Sequence, residues 1–172
     1  AVFSGEGNST YDIKKIPLPS TIYGKSKLAG EKLVIENPQS LVIRLPMIYG
    51  KYNNNFMKLI NKVKKDKKIY VANDIFSTPI NSKDVALFLK DNIEKDNVKK
   101  LLKKKIIHLS TNRKLSFFEL IYTMSKKIDK EKNIIPVKNI FFDKNDVKPK
   151  NLGLKTNINN FKITKIENFI QI

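Results

Sequence analysis

Leu41-Val42-Ile43 is an apolar run with no polar residue inside it, and it follows a stretch that reads as helix. A strand with one wet face alternates apolar and polar residues, because successive side chains point to opposite sides. A run without alternation predicts a strand buried on both faces, as in a parallel sheet covered by helices. Ile106-Ile107-His108-Leu109 repeats the pattern. Elsewhere the apolar spacing becomes helical: Phe56, Leu59, Ile60 and Val63 fall on one face of a helix from about Asn55 to Lys65. Val85, Ala86, Phe88 and Leu89 do the same after Ser82, which is read as that helix's cap. Strands alternating with helices predict an α/β fold with a mostly parallel sheet.

Local signals place the other elements. Ala1 to Phe3 reads as the end of a buried strand and residues 4–9 as a loop. Pro17 and Pro19 keep Ile16 to Pro19 extended, since proline lacks an amide donor and biases its predecessor away from helix. Ser20 or Thr21 then caps a helix that Asn37-Pro38 ends. Lys68 to Val71 and Ile75 to Ile80 read as short strands about an Asn-Asp turn. Ser116 to Glu119 is a capping box, in which hydroxyl and carboxylate satisfy helix-end amides reciprocally. From Asp129 the chain reads as polar and less regular until Ile166 to Ile170.

Within the first helix, Tyr23 and Lys27 are four residues apart and so share a face. An ammonium near a phenol favours the phenolate, and a tyrosine tuned that way exchanges a proton near neutral pH. The chain has 172 residues, 41% of them hydrophobic, enough for a packed core. Its net charge of +18 would suggest nucleic acid, but it holds 32 Lys against two Arg, Arg44 and Arg113. Base reading and bidentate phosphate contact favour Arg. The lysines are also dispersed, so they read as solvated surface, with no specific nucleic acid as partner. The basic run Lys99 to Lys105 is read the same way. His108, the one histidine, lies in an apolar strand and reads as a core residue. There is no Cys, hence no disulfide or thiolate metal site. No grouping of His and carboxylates has metal-ligand spacing. No apolar run nears a membrane span and no signal peptide is visible, which predicts a cytoplasmic protein without a membrane partner.

The order of motifs adds a further reading. Val2-Phe3-Ser4-Gly5 is followed by a proline-containing loop and Tyr23-Gly24-Lys25-Ser26-Lys27-Leu28-Ala29-Gly30-Glu31. Then come Val42-Ile43-Arg44, Ile48-Tyr49-Gly50, Asn54-Asn55-Phe56, Ser77-Thr78-Pro79, Asp84-Val85-Ala86, Lys148-Pro149-Lys150-Asn151 and Leu154-Lys155-Thr156. This succession resembles the extended short-chain dehydrogenase/reductases, in particular their dTDP-4-dehydrorhamnose reductase branch. The resemblance implies the C-terminal part of a Rossmann-like doubly wound parallel sheet plus a small α/β substrate-binding region. Residues 1–50 would belong to the NAD(P)-binding domain, and 51–172 to a mixed substrate-binding region with segments returning to it.

The resemblance further implies reduction of a 4-keto nucleotide sugar with NADP or NAD as cofactor. Tyr23 and Lys27 would be catalytic, and Lys27, Pro46 and Met47 would contact the cofactor. Ser4, Arg44, Asn54, Asn55, Phe56 and Lys150 would bind the sugar nucleotide. Arg44, at a strand end, has a second reading, pairing with a buried carboxylate. A Ser or Thr partner of the tyrosine would lie just before Val2, outside this chain. The glycine-rich G-x-G-x-x-G loop that seats a pyrophosphate on a helix N-terminus is not in the sequence. The chain alone is therefore expected to be inactive and prone to associate, with a homodimer possible for the full-length protein. Met47 stands where the reductase branch commonly carries Trp. The Arg44 to Gly50 run also resembles the regulatory β subunit of methionine adenosyltransferase, a non-catalytic branch, and the nucleotide-sugar epimerases and dehydratases.

Overall fold

The extended Pro17–Pro19 stretch leads into Thr21, whose hydroxyl accepts the Gly24 amide at 3.0 Å and opens the first helix. The computed structural model describes residues 1–51, 54–65, 68–142, 149–159 and 161–169, with Asn54 and Asn55 described by their backbone. In chain order the elements are α1 (Ile22–Glu36), β1 (Val42–Arg44), β2 (Ile48–Tyr49), α2 (Asn54–Lys65), β3 (Ile69–Ala72), β4 (Phe76–Ser77) and β5 (Ile80–Asn81). There follow α3 (Ser82–Glu94), α4 (Val98–Leu102), β6 (Ile106–His108), β7 (Leu115–Ser116), α5 (Phe117–Lys126) and β8 (Ile134–Val137).

The two unalternating apolar runs find each other. β1 and β6 pair in parallel, with Ile43 opposite Ile107 and Arg44 opposite His108. β2 pairs with β5 and β3 with β8, also in parallel, while β4 and β7 are antiparallel. The described strands thus form four short ladders, three of them parallel, in the expected α/β arrangement.

Burial follows the helical spacing. On α2, Phe56, Ile60 and Val63 are buried and Leu59 packs beside them against Ile69, Val71, Leu120, Ile121 and Met124. A second cluster joins Ile80, Phe88, Ile107 and Leu109, and a third joins Val2, Phe3, Tyr11 and Leu154. The Ser116–Glu119 capping box is formed: the Ser116 hydroxyl accepts the Glu119 amide at 3.0 Å, and the Glu119 carboxylate accepts the Ser116 amide at 2.6 Å.

Four expectations are corrected. Ala1 to Phe3 is not in a strand; a strand needs a ladder partner, and Val2 and Phe3 are instead buried as isolated side chains in the third cluster. The cap of α3 is Asn81, whose Oδ1 accepts the Lys83 amide at 2.9 Å, not Ser82. The segment after Asp129, read as irregular, contains β8, which Pro136 obscured in the sequence. Ile75 to Ile80, read as one short strand, is divided into β4 and β5, which pair with β7 and β2 respectively.

Candidate active-site face

Tyr23 and Lys27 lie one turn apart on α1, and the Lys27 ammonium sits 5.4 Å from the centre of the Tyr23 ring. Tyr23 is 65% exposed, and Lys27 is exposed as well. Gly24 is the buried residue of the helix. A side chain there would meet the Ala1 carbonyl oxygen and Pro19, so glycine lets the N-terminal segment close against the helix start.

One turn further on, Glu31 ties α1 to β1. The Arg44 guanidinium donates to it from Nε at 3.0 Å to both carboxylate oxygens and from Nη2 at 2.7 Å to Oε2. The two side chains are only 7% and 13% exposed. The Phe3 ring lies 5.3 Å from the guanidinium carbon and packs edge-on to His108. Arg44 Nη1 is 3.3 Å from His108 Nε2. Of the two roles open to Arg44, this is the pairing with a buried carboxylate. His108 is fully buried, as expected of a core residue, and burial followed by the nearby Arg44 charge holds its imidazole below the usual histidine range. Its Nδ1 has no hydrogen-bond partner.

The remaining expected site residues are spread over several elements. Met47 leaves β1 with its amide on the Ser77 hydroxyl at 3.2 Å and its carbonyl on the Ile80 amide at 2.9 Å. Its side chain packs on the largest core cluster, and Pro46 beside it is half-buried. Among the described residues, no hydrogen bond or ring contact joins Pro46 or Met47 to Tyr23 or Lys27. Asn54 and Asn55 start α2, and their side chains lie outside the described residues. Phe56 is buried between Tyr49 and Phe169, with ring centroids 5.9 and 5.6 Å away, so its ring serves the core. Lys150 is exposed, and its carbonyl accepts the Phe76 amide at 2.7 Å. Lys148 lies outside the described residues.

Ser4 belongs to a junction where distant motifs meet. Its hydroxyl lies 3.3 Å from the Tyr11 hydroxyl, and its carbonyl accepts the Ser20 hydroxyl at 2.9 Å. The Gly5 carbonyl accepts the Asn151 amide at 2.9 Å. Thr78 Oγ1 both donates to the Leu154 carbonyl at 3.1 Å and accepts the Leu154 amide at 3.0 Å. Sequence reasoning passed over Tyr11 and read Asn151 only as part of the Lys148–Asn151 motif; both stitch this junction. Asn151 Nδ2 donates to the Ser9 carbonyl at 2.7 Å. The asparagine two residues before Gly153 was the available signal.

A Tyr-x-x-x-Lys helix laid against a parallel strand, with a loop and helix following that strand, defines the C-terminal portion of an extended short-chain dehydrogenase/reductase fold. The chain belongs to the family described as the RmlD substrate binding domain, whose model matches residues 1–169. It is 32% identical over 120 residues to a dTDP-4-dehydrorhamnose reductase of Aggregatibacter actinomycetemcomitans, covering 69% of this chain and 41% of that one. The crystal structure of dTDP-4-dehydrorhamnose reductase from Bacillus anthracis in complex with NADP superimposes with a TM-score of 0.77 at 28% identity, over 98% of this chain and 61% of that one. A 50-residue stretch, 28% of this chain and 15% of the relative, is 48% identical to methionine adenosyltransferase 2 subunit beta of Rattus norvegicus. The chain therefore spans about half the length of these reductases. Among the described residues no helix is long and apolar enough to cross a membrane, and no group of His, Cys, Asp and Glu could hold a metal ion.

Proposed function

We propose that this chain supplies the proton-donating and sugar-binding part of an NAD(P)H-dependent reductase of a 4-keto nucleotide sugar. The observation that carries the reading is the Lys27 ammonium held beside the exposed Tyr23 ring on one helix face. Ketone reduction needs a hydride at carbon and a proton at oxygen; a bound nicotinamide dinucleotide supplies the hydride. Tyr23 Oη gives its proton to the carbonyl oxygen, with the Lys27 ammonium 5.4 Å from the ring centre on the same helix face. The described residues do not form a pyrophosphate cradle. No G-x-G-x-x-G run, the loop that seats a pyrophosphate on a helix N-terminus, occurs in the sequence. The cradle thus belongs to a glycine-rich unit that this sequence does not contain, and the cofactor, NADP or NAD, would be shared with it.

In this reading residues 1–50 are the part of the nucleotide-binding domain that carries Tyr23 and Lys27, and 51–172 the mixed substrate-binding region. The pairing of β1 with β6 supports a return of the later segment to the first. Pro46 and Met47 would border the cofactor, and Ser4, Asn54, Asn55 and Lys150 would bind the sugar nucleotide. Arg44 and Phe56 act from behind, one through Glu31 and one through the core.

In a complete enzyme built on this chain, Tyr23→Phe removes the proton donor and keeps the ring. A rate loss of about 10²- to 10⁴-fold with little change in cofactor affinity is expected. A second reading, a non-catalytic regulatory subunit, is favoured by the 48% identity to the methionine adenosyltransferase subunit. Unaltered turnover in Tyr23→Phe would select that reading.

A further inference from the structure

The basic run Lys99 to Lys105 does more than face solvent. Lys100 and Lys104 line a cavity of about 610 Å³ between α3, α4 and the segments 157–159 and 161–162. That is within the range of about 300–1,000 Å³ common for small-molecule sites. None of its lining residues belongs to the Tyr23–Lys27 face. We propose that this cavity binds a nucleoside polyphosphate at a site separate from the reductase site.

The charges in the cavity are unbalanced. Lys95 at the end of α3, Lys100 on α4 and Lys104 just after it, and Lys162 line it, against two carboxylates, Asp84 and Asp91. Both carboxylates are engaged within the chain. Asp84 accepts the Thr164 amide at 2.7 Å and the Thr164 hydroxyl at 2.6 Å, and Asp91 lies 3.9 Å from Lys95. Among the described residues, no carboxylate is in ion-pair range of Lys100, Lys104 or Lys162. Like charges around a concavity with low-dielectric walls focus a positive potential into it, and an anion relieves their repulsion. Lysines dispersed over a convex surface have no such shared focus.

The floor selects the rest of the ligand. Phe88 and Phe161 meet edge to face with centroids 6.0 Å apart, and Leu101 packs with them against the core. A bare phosphate makes no use of an apolar floor; a flat ring does. Three ammonium groups, two from the α4 segment and one from Lys162, suit a chain of phosphates, which flexible point charges can follow without the fixed fork of Arg. Asn157 adds a donor: its Oδ1 is taken by the His108 amide at 2.7 Å, which leaves the Nδ2 end for a ligand.

The test is calorimetric titration of adenosine triphosphate into the 172-residue chain, with adenosine and inorganic tripolyphosphate as separate probes. One-to-one binding of the triphosphate is expected, weaker binding of tripolyphosphate, and none of adenosine. K100E with K104E should lower the affinity by about tenfold or more, and K162E alone should lower it in the same direction. K58E with K126E is the control: both residues are exposed, on α2 and α5, and the change in net charge is the same. It should stay within about twofold of the parent, and Lys27→Met should leave the binding unchanged. Equal losses in the control and cavity variants would reduce the binding to diffuse attraction and overturn the proposal. A loss in Lys27→Met would assign the ligand to the reductase face and also overturn it. So would tripolyphosphate binding as tightly as the nucleotide, or no binding at all. Circular dichroism of each variant confirms that folding is retained, and none of these outcomes depends on Tyr23 being catalytic.

Discussion

Removing Glu31 is the substitution whose cost the structure defines best. Its carboxylate takes two donors from Arg44 at 2.7–3.0 Å in a site where neither side chain is more than 13% exposed. At 2.7 Å the attraction between unit charges is about 6 kcal/mol for an effective dielectric near 20. The cost of drying both groups offsets most of that. The net worth of the pair is therefore small, but the cost of breaking it is not. Glu31→Ala leaves the Arg44 guanidinium buried beside Phe3 and a neutral His108 with no counter-charge. The expected loss is about 3–5 kcal/mol, a large share of the roughly 5–15 kcal/mol that holds a domain together. Glu31→Gln keeps one acceptor and should cost less, about 1–3 kcal/mol. The paired replacement Glu31→Leu with Arg44→Met leaves no stranded charge and should recover most of the loss. Urea unfolding followed by far-ultraviolet circular dichroism measures all of these. A change below about 0.5 kcal/mol in Glu31→Ala, or a double variant as unstable as the sum of its singles, would refute the buried-pair argument.

Two further predictions concern residues that hold the same region. Gly5 has φ of +82° and packs directly on Pro149, whereas Gly7 has φ of +75° with open space around it. Gly7→Ala should cost only the left-handed backbone penalty of about 1–2 kcal/mol, and Gly5→Ala clearly more, in the same urea assay; equal costs would mean that the Pro149 contact yields freely. His108 makes stability depend on pH. Burial and Arg44 lower its proton affinity in the folded state, while the unfolded chain takes up the proton near about pH 6.5. The unfolded state then binds more protons below that value, so stability is complete above about pH 6.5 and declines as pH falls through the folded-state value. His108→Gln should flatten the urea midpoint between about pH 5 and 6.5, and an unchanged slope would remove His108 as the cause.

Local chemistry was legible in the sequence because it is settled within a few residues. Thr21, the Ser116–Glu119 box and the α2 periodicity all satisfy groups one turn away. Phe56 shows a local signal read two ways: its sequence neighbours suggested a ligand contact, while its spacing to Ile60 and Val63 already placed it in the core. What was not legible is what depends on contacts across the chain. β8 is a strand because β3, 65 residues earlier, offers it a parallel partner, and nothing within Ile134–Val137 announces that. The Ser4–Thr78–Asn151–Leu154 junction likewise exists only once four segments meet. The cavity beside α4 was hidden for the opposite reason, since in so basic a chain a lysine run says little until its surroundings are known.

The rotation of α1 brings these two kinds of information together. Its inward positions are Gly24, Leu28, Glu31 and Ile35, spaced as one helix face. Gly24 is closed by Ala1 and Pro19, Leu28 packs on the Val2–Phe3 cluster, and Glu31 holds Arg44. A search for apolar periodicity passes over this face, because two of its four members are a glycine and a carboxylate. Tyr23 and Lys27 each stand one residue before an inward position, about 100° around the helix from it. They therefore emerge at the margin of the contact, exposed yet held by it. Turning the helix by one residue would bury the tyrosine where Gly24 leaves no room for a side chain, and would carry Glu31 away from Arg44. The residues that place the phenol and ammonium are thus a glycine with no side chain and a carboxylate two turns away, neither of which carries the chemistry itself.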